Sequence, residues 1–280
     1  MSGLVFGKTG QVARELAALK GVTCVGRERA DLSDPAACAA LIAKLEPDFV
    51  INAAAYTAVD KCETDEDAAG IINGDAPAAM ARACAALGTP FVHISTDYVF
   101  DGSGEAAFTP HDTPAPLNAY GRTKLLGEDG IRAAGGRFAI LRTSWVFSTH
   151  GNNFVKTMLR VGAERDELTV VADQIGGPTA ARDIAQACMD LATSLGKGGP
   201  SGTYHFAGTP NVSWAQFARE IFAQAQMKTK VRDIATADYP TPATRPLNSR
   251  LDCSLIEQKH GISGSDWQAA LAQVLSELPR

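Results

Sequence analysis

From its first residues to about residue 145 the chain alternates short apolar runs with longer stretches in which apolar positions recur every three or four residues. Leu4–Phe6, Val22–Val25, Phe49–Ile51, Phe91–Ile94 and Phe138–Leu141 read as buried strands. Between them, Gly10–Leu19 carries Val12, Leu16 and Leu19 at helical spacing, and Pro35–Leu45, Asn73–Leu87 and Asn118–Ala133 read as further helices. Ser33 is placed to cap the Pro35–Leu45 helix, with Pro35 just inside it. Strands alternating with helices of this length predict βαβ units with right-handed crossovers, hence an α/β fold built on a doubly wound parallel sheet.

Beyond residue 145 the rhythm loosens. Asn153–Ala163, Ala181–Leu195, Trp214–Gln226 and Asp266–Leu278 read as helices, Leu168–Val171 and Thr203–Phe206 as short strands, and the Thr-, Pro- and Ala-rich Ala237–Pro246 as an ordered loop. The expected division is a domain over 1–145 and a smaller, interleaved C-terminal substrate lobe over 146–280 that can return a strand to the sheet. No repeat or low-complexity tract interrupts either half.

Composition narrows the class. In 280 residues, 26 Lys and Arg against 31 Asp and Glu leave a net charge of −5, a poor match for a phosphate backbone, so nucleic acid is not the expected partner. No run approaches the ~20 apolar residues of a membrane span, and no basic segment precedes Leu4-Val5-Phe6. Six cysteines without a Cys-x-x-Cys pair suit a reducing cytoplasm.

The first candidate chemistry is Gly7-Lys8-Thr9-Gly10, between the first strand and first helix, with Ala13 where a third glycine often stands. Such a turn lets the backbone approach a pyrophosphate while the helix N-terminus offers free N–H donors, the dinucleotide site of a Rossmann sheet. Gly7, Thr9 and Gly10 are its residues; Lys8 does not complete a Gly-x-x-x-x-Gly-Lys-Ser/Thr phosphate loop. After the second strand comes Gly26-Arg27-Glu28-Arg29. An arginine there suits the 2′-phosphate of NADP, so NADPH is the expected cofactor, with NADH as a second one, and Arg27 is its reader; Asp31-Leu32 follows near the adenine.

The second is Tyr120 with Lys124, four apart in a helical segment and so on one face, ~6 Å apart along the axis. A phenol of ordinary pKa ~10 exchanges its proton poorly at neutral pH, and a neighbouring ammonium would ease it. Phe91–Ile94 runs into Ser95-Thr96-Asp97, which places Thr96 at the carboxyl end of a central strand, where open α/β sheets bind ligands. Thr96 could hold the carbonyl oxygen that Tyr120 protonates.

In this order and separation the three features resemble the extended short-chain dehydrogenase/reductases. More narrowly, nearly the whole length of the chain is similar to the sugar-nucleotide ketoreductases that complete dTDP-L-rhamnose synthesis. The resemblance rests on Phe6–Val12, Asn52-Ala53-Ala54-Ala55-Tyr56-Thr57-Ala58-Val59-Asp60, Ser95–Phe100, Tyr120–Lys124, Arg142-Thr143-Ser144-Trp145-Val146, Gly151-Asn152-Asn153-Phe154, Tyr239–Ala243 and Pro246–Leu251. It implies NADPH-dependent reduction of the 4-keto group of dTDP-4-dehydro-6-deoxy-L-mannose to dTDP-L-rhamnose. It implies Thr96, Tyr120 and Lys124 as catalytic residues, the last two also touching the cofactor. Gly10, Gln11, Val12, Asp31, Leu32, Ala53, Ala54, Ala55 and Thr57 would line the cofactor, and Thr96, Asp97, Trp145, Asn153 and Arg245 the sugar nucleotide, Arg245 at its diphosphate.

Related dehydratases carry a second carboxyl after the strand-end Asp; here Tyr98 stands there, which favours plain reduction over elimination of water. Some members dimerise through a magnesium site made by glutamates. Glu15 is present but Arg182 stands where a second glutamate is expected, so a homodimer stays an expectation while no metal ligand is assigned. The histidines lack ligand spacing, and Asp60, Glu63, Asp65, Glu66 and Asp67 read as a solvated helix face. Two alternatives remain: reduction of another 4-keto sugar nucleotide, and a non-catalytic regulatory subunit resembling the β-subunit of methionine adenosyltransferase.

Overall fold

The protein is described over residues 2–278 by a computed structural model. Strands β1 (Gly3–Phe6), β2 (Val22–Val25), β3 (Phe49–Asn52), β4 (Phe91–Thr96) and β5 (Phe138–Thr143) pair in parallel in the order β2-β1-β3-β4-β5, and the strand Gly202–His205 adds to the free edge of β5. The chain leaves β1 for β2 on one side and returns to β3 on the other. That reversal opens a crevice at the carboxyl ends of β1 and β3, the place where doubly wound sheets bind ligands.

Alternation along the strands sets the two faces. Val5, Ile51, Val92 and Leu141 point into a core closed by helices α1 (Gln11–Ala17) and, from the second half of the chain, Ala181–Gly196. Leu4, Phe6, Val50 and Ile140 point the other way, onto α2 (Pro35–Leu45), α5 (Ala76–Leu87) and α6 (Ala119–Ala134). The α2 cap differs from the sequence expectation: Asp34, not Ser33, accepts the Ala37 N–H, while Ser33 donates its own N–H to Asp31. Two short helices, α3 (Val59–Cys62) and α4 (Glu66–Gly70), precede α5, and a π-helical turn at Ile71–Asp75 joins α4 to it.

A second core gathers Phe147, Val155, Leu168, Phe217, Ile221, Trp267 and Leu271. These come from the short strand Val146–Phe147, α7 (Phe154–Gly162), the strand Glu167–Val171, which pairs with Lys230–Ile234, and the helices Trp214–Gln224 and Trp267–Glu277. Besides short two-residue strands, two longer elements of this half went unpredicted. Lys230–Ile234 is largely polar, an edge strand with little buried surface, and the helix Ser254–His260 buries only Ile256. Among the described residues, no helix is long and apolar enough to cross a membrane.

Candidate active site

The glycine turn sits at the mouth of the crevice. Gly7 has φ +122°, and a Cβ there would lie 3.2 Å from Ala13 Cβ and from the Ala53 carbonyl, so the turn needs glycine both for conformation and for space. Gly10 is the N-cap of α1 and brings no capping side chain, leaving the first N–H groups of α1 open toward the crevice. Two hollows meet here. One, of about 420 Å³, is lined by Gly7, Lys8, Arg27, Asp31 and Leu32; the other, of about 500 Å³, by Gln11, Val12, Thr96, Asp97, Tyr120, Lys124 and Trp145. Thr9, Gly10, Ala53, Ala54, Ala55 and Thr57 line both, which makes one continuous groove.

At the outer end, Arg27 is 81 % exposed with Asp31 at 3.8 Å. Lys8 lines the same hollow and pairs with Glu28 at 2.9 Å; Arg29 does not line it. The Asp31 carboxylate is held below its ordinary pKa chiefly by the Ser33 N–H it accepts.

At the inner end, α6 carries Tyr120 and Lys124. Its start is fixed twice: Asn118 accepts the Gly121 N–H at 2.8 Å, and Glu63 accepts the Ala119 N–H at 2.8 Å. Gly121 lets the helix lie against the turn after β4, for a Cβ there would fall 2.1 Å from the Tyr98 carbonyl oxygen. The π-helical turn adds Asn73, which takes the Tyr56 N–H and donates to the Tyr56 carbonyl and to Thr123, tying the Ala53–Thr57 loop to α6. Thr96, at the end of β4, donates to Asp97 at 3.0 Å and accepts the Tyr98 N–H. Burial pushes the Tyr120 phenol above its ordinary pKa; the adjacent Thr96 hydroxyl works against the rise, while Asp97, Tyr98 and Cys62 add to it. A phenol so placed keeps its proton until a developing negative charge takes it.

Lys124 is 1 % exposed and its pKa falls to about 7, because burial outweighs the pull of Glu128. Its amine lies 2.9 Å from His93 Nε2 and donates to the Ile94 carbonyl at 2.7 Å. The amine that the sequence expects to ease the phenol is thus engaged with β4 in the ligand-free chain.

On the wall of the inner hollow, Asp97 is 3 % exposed and burial raises its pKa to about 6 against the Ser249 and Thr96 side chains. Trp145 has φ +49° and lies 3.6 Å, ring to ring, from Trp214. Sequence reasoning missed Thr143, which lies opposite Thr96 on β5, lines the inner hollow, and has a buried hydroxyl without a hydrogen-bond partner among the described residues. The same signal was available for it: an apolar strand running into small hydroxyls. Two expected substrate residues stand elsewhere. Asn153 is the N-cap of α7 and spends its amide on Gln11, Ser148 and His150, leaving the lining to Gly151 and Asn152. Arg245 is outside the lining, paired with Asp60 at 2.8 Å.

The acidic run lies at the surface, with Glu63 and Asp67 exposed, and four of its five carboxylates also take partners. Asp60 holds Arg245, Glu63 caps α6, Asp65 accepts from the Tyr56 hydroxyl, and Glu66 takes Arg122 in two 2.8 Å hydrogen bonds. Glu15 lies 3.7 Å from the Arg182 guanidinium, which also donates to Glu277. Among the described residues no group of three or more His, Cys, Asp and Glu side chains could hold a metal ion.

A parallel sheet with a glycine turn at its reversal point, and Tyr-x-x-x-Lys beside a strand-end threonine, defines an extended short-chain dehydrogenase/reductase. Comparison with known proteins narrows this. The family described as RmlD substrate binding domain matches residues 1–280. The dTDP-4-dehydrorhamnose reductase of Sinorhizobium fredii is 42% identical over 97% of this chain and 95% of its own. Two solved structures superpose with TM-scores of 0.93. The Clostridium acetobutylicum dTDP-4-dehydrorhamnose reductase is 37% identical, covering 99% of both chains. The Bacillus anthracis one, in complex with NADP, is 33% identical, covering 99% of this chain and 100% of its own. The chain belongs to the RmlD family, that of the dTDP-4-dehydrorhamnose reductases.

Proposed function

We propose that the protein reduces the 4-keto group of dTDP-4-dehydro-6-deoxy-L-mannose to dTDP-L-rhamnose, using NADPH, in the cytoplasm. The compartment is supported by six free thiols, four of them buried. The observation that carries the chemistry is the Thr96 hydroxyl beside the Tyr120 phenol at the carboxyl end of β4. The cofactor fits the groove: Gly7 and the open α1 N-terminus suit its pyrophosphate, Arg27 and Lys8 a 2′-phosphate, and Lys124 the inner ribose. Bound there, NADPH supplies a hydride to C4.

Tyr120 donates its proton to the C4 oxygen as negative charge builds there, and Thr96 orients that oxygen by a hydrogen bond. Asp97 and Thr143 offer polar atoms to the sugar, and the Trp145 face offers it a flat wall. Tyr98 supplies no second carboxylate, so elimination of water has no acid–base pair and the ketone is simply reduced. The experiment is NADPH oxidation with a panel of dTDP- and UDP-linked 4-keto sugars, with product stereochemistry read by NMR. Formation of dTDP-L-rhamnose supports the assignment; a preference for another sugar nucleotide, or no turnover with any, overturns it.

A further inference from the structure

His93 lies in the middle of β4, fully buried, with both ring nitrogens engaged: Nδ1 faces the Asn52 amide nitrogen at 3.1 Å and Nε2 faces the Lys124 amine at 2.9 Å. A neutral imidazole has one donor and one acceptor, so the two contacts cannot both be donations to the ring. The Asn52 side chain decides between them. Its Oδ1 accepts the Ala54 N–H at 3.1 Å, which turns its NH₂ toward Nδ1. Nδ1 is then the acceptor and Nε2 carries the proton, pointing it at Lys124. Burial holds the His93 pKa far below its ordinary value, so a doubly protonated ring does not compete.

We infer that Asn52 and His93 form a tautomer lock that makes Lys124 a hydrogen-bond acceptor, a neutral amine, in the ligand-free protein. A neutral amine has two N–H groups and one lone pair: one N–H goes to the Ile94 carbonyl and the lone pair receives His93 Nε2–H. An ammonium in the same place would meet an N–H head-on. The groups around the amine agree. From α6, Glu128 favours the charged form, but Arg142 and Arg132 already hold its carboxylate. Tyr120 on α6 and Asp97 after β4 share the hollow; β3 contributes Asn52. His93 and Asn52 are positioning residues: they act through Lys124 and do not line the groove. Where Lys124 is a working residue of the site proposed above, its charge then appears only when an arriving ligand offers its N–H groups a better acceptor. The state of the free protein stands apart from that reading.

The test uses the ligand-free full-length protein. Long-range ¹H–¹⁵N correlation of the histidine rings at pH 8 should show His93 protonated at Nε2, and ¹³Cε-lysine titration should show Lys124 losing its proton near neutrality. His93→Phe keeps the ring and removes the lock; the Lys124 midpoint should rise by about one unit, because only the neutral form loses a hydrogen bond. Asn52→Asp offers Nδ1 an acceptor in place of a donor, and the ring proton should move to Nδ1. A wild-type ring protonated at Nδ1, or a Lys124 midpoint that falls in His93→Phe, overturns the inference. These readings need no turnover, so they separate its failure from failure of the proposed reaction.

Discussion

The Glu128 carboxylate takes the Arg142 guanidinium in two hydrogen bonds, 2.9 Å from Nε and 2.6 Å from Nη2, with neither side chain more than 1 % exposed. Ser95, next to Thr96, donates to the same carboxylate at 2.6 Å, so the pair fastens α6 to β4 and β5 directly beneath the site. Burial opposes the Glu128 charge, but Arg142, Ser95 and Arg132 outweigh it and hold the pKa below its ordinary value. A depressed carboxyl pKa contributes stability that is present above the unfolded value, about 4.3, and is lost as pH falls through the folded one.

Arg142→Met should therefore cost about 3 kcal/mol at pH 7, since it leaves a buried charge that only Arg132 and the Ser95 hydroxyl still contact. The loss should shrink as pH drops through the acid range and Glu128 protonates. Urea melts at several pH values check this. A cost that does not vary with pH would assign the effect to packing instead.

At the outer end of the groove, Arg27→Ala should weaken NADPH by roughly tenfold relative to NADH, the size of one charged hydrogen bond. Lys8→Ala should do the same to a smaller degree, because Glu28 already engages that amine. Direct titration of both cofactors decides it; equal losses for the two would remove Arg27 as the reader of the 2′-phosphate.

Metal removal should leave turnover intact. The Arg182 guanidinium, 3.7 Å from Glu15, places positive charge beside that carboxylate, and the proton donation proposed for Tyr120 asks for no Lewis acid. Activity after exhaustive EDTA treatment is the measurement. Loss that magnesium alone restores would contradict it and direct attention to Glu15.

The α2 cap gives a structural check. Asp34→Ala should destabilise the fold by about 1 kcal/mol, whereas Ser33→Ala, whose hydroxyl makes no cap, should be close to neutral. The reverse ranking would contradict the observed cap.

What the sequence made legible follows from how each feature is encoded. Strands β1, β3, β4 and β5 are largely apolar because both faces are covered, and Gly7, Thr96 and Tyr120-x-x-x-Lys124 are local strings at strand ends and on a helix face. Roles that depend on distant partners were not legible. Asn153 caps α7 through the nearby Lys156 N–H, but its amide nitrogen is taken by Gln11, 142 positions away, and Arg245 meets Asp60 across 185. The acidic run read only as a solvated face because the partners its carboxylates also take, Ala119, Arg122 and Arg245, lie far along the chain. His93 looked like an ordinary apolar-strand histidine until Asn52 and Lys124 stood on either side of it.

The central claim rests on the Tyr120 hydroxyl as the proton donor, and Tyr120→Phe tests it most directly because it keeps the ring against Tyr98 and deletes only the oxygen. Stopped-flow NADPH oxidation with the dTDP-4-keto sugar, beside a direct cofactor titration, should show kcat lower by ~10²–10⁴-fold with NADPH affinity changed only a few-fold. Near-wild-type turnover in Tyr120→Phe would contradict the account.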